Sequence, residues 1–106
     1  MINSASGQIS VSDAELDIIN QILRKTLAGQ DVYVFGSRAR GDHKKTSDLD
    51  LAISGAAPLT MAVRSDLEFK FSESDLPFRV DIVDLLTTDE SFKKIIQADA
   101  IKLQYA

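Results

Sequence analysis

Apolar residues recur at three- and four-residue intervals from Leu16 to Leu27 (Leu16, Ile19, Ile22, Leu23, Leu27), which predicts an amphipathic helix with one apolar face. Ser12 and Glu15 stand at capping-box spacing ahead of it, so Ser12 is the expected opening and Gly29 the expected stop. Residues 1–11 read as a frayed lead-in. The period then changes: Val32-Tyr33-Val34-Phe35 is a short β-branched and aromatic run, the pattern of a buried strand. It stops at Gly36-Ser37 and gives way to a polar connector, Arg38 to Ser47. A second strand is expected from about Asp48 to Ile53, closed by Ser54-Gly55. Pro58 suits the first turn of another helix, with a stripe of Leu59, Val63, Leu67 and Phe71 that ends at Ser72 to Pro77. Phe69 falls out of register with that stripe, and an exposed aromatic there would mark an interface. A third strand is expected over Phe78 to Leu85. Thr87 and Glu90 repeat the capping-box spacing before a last helix whose apolar face is Phe92, Ile95, Ile96 and Leu103. Tyr33, Phe71 and Phe78 read as core, and Tyr105 as part of a fraying C-terminus.

The order helix, strand, connector, strand, helix, strand, helix predicts one α/β (α+β) domain over residues 1–106, with helices packed on a small mixed sheet. Connector lengths constrain that sheet. Some ten residues between Gly36 and Asp48 are too few for a parallel crossover, so the first two strands should be antiparallel. The longer link from Ile53 to Phe78 passes through a helix and permits a parallel third strand.

Composition narrows the function classes. At 44% hydrophobic the chain is too apolar for disorder, and no apolar run approaches the ~20 residues of a membrane span. The opening MINSASGQIS has neither a basic nor an apolar leader region, so a cytoplasmic protein is expected. With no cysteine there is no disulfide, thiolate zinc site or cysteine nucleophile. The net charge of −4 argues against direct, non-specific nucleic-acid binding. The charge is unevenly placed: Arg38, Arg40, Lys44 and Lys45 fall within eight positions, while several acids interrupt apolar runs.

Those acids carry the candidate chemistry. Asp48 and Asp50 alternate with Leu49 and Leu51, so in a regular strand both carboxylates share a face, ~6.8 Å apart along the chain. Asp81 interrupts Val80 and Ile82 in the same manner. If its strand lies beside the second, about 4.8 Å away, three carboxylates converge. Such a cluster resists ionising as a set and needs a cation, either Lys or Arg or a hard metal such as Mg²⁺. Solvated edge acids are the competing reading. Asp84, three residues after Asp81, should face the opposite side unless a bulge intervenes. Gly36-Ser37, where a buried strand becomes polar, can turn free N–H groups outward as an anion site, with Arg38 and Arg40 close behind. Antiparallel pairing would set Gly36-Ser37 beside Asp48. Arg38 and Arg40 read equally as a solvated face, and His43, the sole histidine, as a solvated loop residue.

The set Gly36-Ser37-Arg38-Ala39-Arg40-Gly41, Ser47-Asp48-Leu49-Asp50-Leu51 and Val80-Asp81-Ile82-Val83-Asp84 resembles the polymerase β-type nucleotidyltransferase superfamily, and most of all its minimal nucleotidyltransferases, over about Val32 to Leu85. That resemblance implies the fold of the superfamily and a Mg²⁺-dependent transfer of AMP from ATP to a hydroxyl. Asp48, Asp50 and Asp81 would be catalytic and hold two Mg²⁺ ions. Gly36, Ser37, Arg38 and Arg40 would bind the triphosphate. It also implies a helical HEPN-domain toxin as partner, with a tyrosine of that partner as acceptor and this chain as antitoxin. Alternatives are a non-catalytic antitoxin subunit and a nucleotidyltransferase for small molecules of aminoglycoside type. The small size suggests that another chain, a HEPN partner or a second copy in a homodimer, completes the acceptor side through exposed apolar residues of the first or last helix.

Overall fold

The computed structural model describes residues 9–106. Its elements are α1 (Asp13–Thr26), β1 (Asp31–Phe35), α2 (Ser37–Arg40), β2 (Leu49–Ser54), α3 (Met61–Ser72), β3 (Val80–Asp84), α4 (Glu90–Asp99) and β4 (Ile101–Lys102). Local chemistry explains most boundaries. The Ser12 hydroxyl accepts from Glu15 N and the Glu15 carboxylate accepts from Ser12 N, so the capping box forms in both directions. α3 opens later than expected. Thr60, whose hydroxyl accepts from Val63 N, is its cap, and Pro58 stays in an exposed loop before it. α4 is capped by Asp89, which accepts from Phe92 N, and not by Thr87. Thr87 instead closes the turn after β3, its backbone and hydroxyl both donating to Asp84 O.

The four strands form one sheet in the order β3-β2-β1-β4. β1 runs antiparallel to β2, and β2 parallel to β3 across α3, as the connector lengths require. β4 is an addition to the expected set. The last helix ends at Asp99, and Ile101-Lys102 pairs with β1, so Leu103 belongs to a strand end and not to the helix face. The tail is docked: Tyr105 is buried, its hydroxyl donates to Gln30 O, and Arg24 donates to its carbonyl. The described part of the lead-in is also held, with Ile9 buried and Ser10 N donating to Arg38 O. Residues 1–8 of that lead-in lie outside the described residues. Among the described residues no helix is long and apolar enough to cross a membrane.

The two faces of the sheet differ in weight. α1 and α3 cover one face, where Val32, Val34, Leu49, Leu51, Ile53 and Ile82 meet Ile19, Leu23, Leu67 and Phe71 in the main core. The other face is only partly roofed. There α4 sets Ile96 against Phe35 and Ala52 and stacks Phe92 edge-on against Phe35, leaving Ile95 62% exposed. Phe69, on α3, is 64% exposed, in line with its being out of register.

Asp84 shows what the strand period does to an acid on the core side. It is buried at 6% exposure, and its carboxylate accepts from Leu59 N (2.7 Å) and Leu86 N (2.9 Å). It thereby fastens the lead into α3 to the turn after β3. We expect Asp84→Ala to lower unfolding stability by about 2 kcal/mol, since two backbone donors lose a charged acceptor. An unchanged midpoint in urea would refute that role.

Candidate active site

The site sits where β1 ends and β2 begins. Phe35 is paired with Asp50, so Gly36, the next residue, lies against the Asp50 side chain. Gly36 adopts φ 78° and ψ −154°, a region open essentially to glycine alone. A Cβ there would collide with Asp50 Oδ2 and stand 3.4 Å from its Cγ. Both facts require glycine at this turn. Ser37 follows as the first residue of α2, whose leading N–H groups have no partner within the helix.

Asp50 is paired with Asp81 in the parallel register of β2 and β3. Both project from the partly roofed face, on the same side as Ala52 and Val83. Asp84 falls on the opposite face, engaged as described, so the geometry selects Asp81 as Asp50's neighbour. Asp48 lies one residue before β2 and was expected inside it. Its charge still acts on Asp50. The Asp50 carboxyl is held above the ordinary aspartate range, first by partial burial, then by the charges of Asp81 and Asp48, with Arg40 opposing. Little on the chain offsets this cluster. Arg79 approaches Asp81 only at 3.8 Å and is 82% exposed, a pairing of small value in solvent. Among the described residues no group of three or more His, Cys, Asp or Glu closes a metal cage. What the rim offers is an under-compensated set of carboxylate oxygens, the donor type of Mg²⁺, which completes its shell with water and phosphate oxygens.

The two arginines part ways. Successive α-helical residues are about 100° apart, so Arg38 and Arg40 cannot share a direction. Arg40 is exposed and pairs with Asp42 (3.2 Å) and Asp99 (3.1 Å) at the solvent edge. Arg38 turns inward. Its guanidinium donates to Ser10 O (2.6 Å), Ser47 O (3.0 Å) and Lys45 O (3.2 Å), and lies 4.0 Å over the Phe78 ring. Arg38, expected at the triphosphate, thus has its guanidinium engaged by carbonyls. His43 is half-buried and not fully solvated as expected, with Nδ1 buried and unpartnered. Two contributors escaped the sequence reading. Asp99 holds Arg40 by an ion pair between segments far apart in the chain, for which no local signal exists. Phe78 was assigned to the core, and it also forms the floor under Arg38. The angular separation of Arg38 and Arg40 on a helical turn was the available hint.

Comparison with known proteins agrees with this geometry. The family model described as polymerase beta, nucleotidyltransferase matches residues 17–104. The probable protein adenylyltransferase MntA of Haemophilus influenzae is 44% identical over 97 residues, covering 92% of this chain and 85% of the relative. A crystal structure of a toxin–antitoxin with AMP-PNP superposes with TM-score 0.71 at 27% identity, over 82% of this chain and 70% of that one. A structure of the tri-AMPylated Shewanella oneidensis HEPN toxin in complex with MNT antitoxin superposes with TM-score 0.63 at 26% identity, over 83% and 69%.

Asp50 sets a pH signature. Its carboxyl titrates higher folded than unfolded, so between those two values the native state binds more protons and stability falls as pH rises. Asp50→Asn removes this penalty. Without divalent cation, we expect the variant to melt above the wild type at pH 7 and level with it near the bottom of the carboxylate range. Millimolar MgCl₂ should raise the wild-type midpoint more than the variant's. A variant less stable at pH 7 would contradict an under-compensated cluster.

Proposed function

This chain belongs to the polymerase beta nucleotidyltransferase family, and on that footing we propose that it transfers AMP from ATP to a hydroxyl of a HEPN-domain toxin, acting as the antitoxin of a cytoplasmic pair. The observation that carries the reading is the side-by-side placement of Asp50 and Asp81 next to a glycine turn that admits no side chain. The likeness to an adenylyltransferase, to a nucleotide-bound toxin–antitoxin and to an AMPylated toxin complex supports the donor and the partner.

In this reading the Gly36-Ser37 turn receives the β- and γ-phosphates through backbone N–H groups and the Ser37 hydroxyl. Arg40, at the solvent edge of the same turn, adds positive charge once drawn from Asp42 or Asp99. Asp48, Asp50 and Asp81 are the residues that would hold two Mg²⁺ ions, which supply neutralisation of the triphosphate's charge. Asp81 would accept the acceptor's proton. The acceptor oxygen forms a bond to the α-phosphorus as the α–β bridging P–O bond breaks. Pyrophosphate departs with that electron pair. Most of the acceleration comes from alignment of the two oxygens and from fixed charge at the rim. The acceptor approaches from the face that α4 leaves partly open, so the partner contributes the rest of the enclosure.

The test is transfer of label from [α-³²P]ATP in MgCl₂ to a HEPN-domain toxin protein that forms a complex with this chain. We expect label on the partner, and a fall of at least about 10²-fold in Asp50→Asn and in Asp81→Asn. A stable complex without label would make the chain a binding-only antitoxin. Label on an aminoglycoside with no protein present would make it a small-molecule enzyme. Gly36→Ala should also abolish transfer while costing about 1–3 kcal/mol of stability, measurable in the same preparations.

A further inference from the structure

Arg38 is 4% exposed, and among the described residues no carboxylate lies within ion-pair distance of it. A buried charge without a counter-charge needs hydrogen-bond acceptors around it. Here the satisfaction has a pattern. Nε holds Ser47 O, the carbonyl immediately before Asp48. One terminal nitrogen holds Lys45 O and reaches towards Lys44 O; the other holds Ser10 O. The flat face of the group rests on Phe78, three residues before Asp81. Arg38 itself directly follows Ser37. One side chain thus ties together the three stretches that lead into the phosphate turn, into Asp48 and Asp50, and into Asp81.

We propose that Arg38 is a positioning residue, holding the connector that carries Asp48 in place relative to the Gly36-Ser37 turn without touching the nucleotide. The inference rests on the nucleotidyltransferase reading only for its activity arm. Arginine is required because its rigid fork reaches several carbonyls at once and stacks flat on an aromatic ring. A lysine ammonium is a point charge that meets one or two of them. At its end towards Asp48 the connector it grips is otherwise held by local bonds, Lys44 N to the Ser47 hydroxyl and Ser47 N to Lys44 O. Asp48, which lies just outside the β2 ladder, therefore depends on this clamp for its position, and errors of about 1 Å in such positions can cost about 10²-fold in rate.

Full-length Arg38→Lys and Arg38→Met variants, read three ways, test this. Hydrogen exchange at Lys44 and Ser47 should quicken about tenfold or more while β1 and β2 stay protected. Affinity for Mn²⁺, measured by electron paramagnetic resonance without nucleotide, should fall in both. With the HEPN partner, kcat should drop about 10²-fold while KM for ATP stays within about threefold, the lysine variant being the milder. A phosphate ligand would behave oppositely, with KM for ATP rising about tenfold and connector exchange unchanged, and that outcome overturns the proposal. Unchanged exchange in both variants overturns it as well. If Arg38→Met does not fold, Arg38→Lys carries the comparison, since it keeps the stem over Phe78 and one donor. A wild-type chain that transfers no label would count against the catalytic reading alone, because the exchange and Mn²⁺ measurements still decide the clamp.

Discussion

Two like charges held side by side across neighbouring strands organise this molecule. Asp50 and Asp81 occupy paired positions in the parallel register of β2 and β3, with Asp48 close enough to add to the field at Asp50. Strand geometry gives them no freedom to separate, since paired residues are fixed by the backbone ladder. Their repulsion opposes folding and is only weakly offset by the exposed Arg79 and by Arg40. A sheet whose strength lies elsewhere can tolerate that. Among the described residues the main core, on the other face, buries eight large side chains almost completely, Ile19, Leu23 and Leu67 among them. That burial holds the strands in register whatever the charge at the rim.

The division between faces explains why acids three residues apart have unrelated tasks. Asp84 points into the α1/α3 side, where two backbone N–H groups await it. Asp81 points to the side that α4 roofs incompletely, where it is paired across the ladder with Asp50. Period-two alternation alone separates them. The same logic divides Arg38 from Arg40 by the helical period: one becomes an internal tie among carbonyls, the other an ion-paired surface cation.

The rim is also a place where backbone and side chain compete for one space. Asp50 lies so close to Gly36 that a methyl group would displace it. That closeness brings the turn's N–H groups and the carboxylates within reach of a single polyanion and its counter-ions. In the proposed reading an anion site and a cation site stand back to back there, which suits a metal-bound triphosphate. Neither half would favour its guest as strongly alone.

Much of this was legible before any coordinates. The capping box at Ser12 and Glu15, the alternation of Asp48 and Asp50 with leucines, and the antiparallel and parallel pairings all follow from periods of two and 3.6 and from how far a connector can reach. These are local or nearly local constraints, so the sequence by itself determined the order of the main helices and of β1 to β3, and the face on which Asp50 and Asp81 lie. Other features needed the folded chain. β4 was hidden because Leu103 continues the helical spacing of Ile96 as well as the alternation Ile101, Leu103, Tyr105, and only pairing with β1 decides between them. Asp89 displaced Thr87 as the cap of α4 because the turn after β3 claims Thr87 first. The fate of Arg38 was least visible of all. Its partners are backbone carbonyls of Ser10, Lys45 and Ser47 and the ring of Phe78, and a carbonyl has no identity in a sequence. Which carbonyls meet at a point is settled only when distant segments pack.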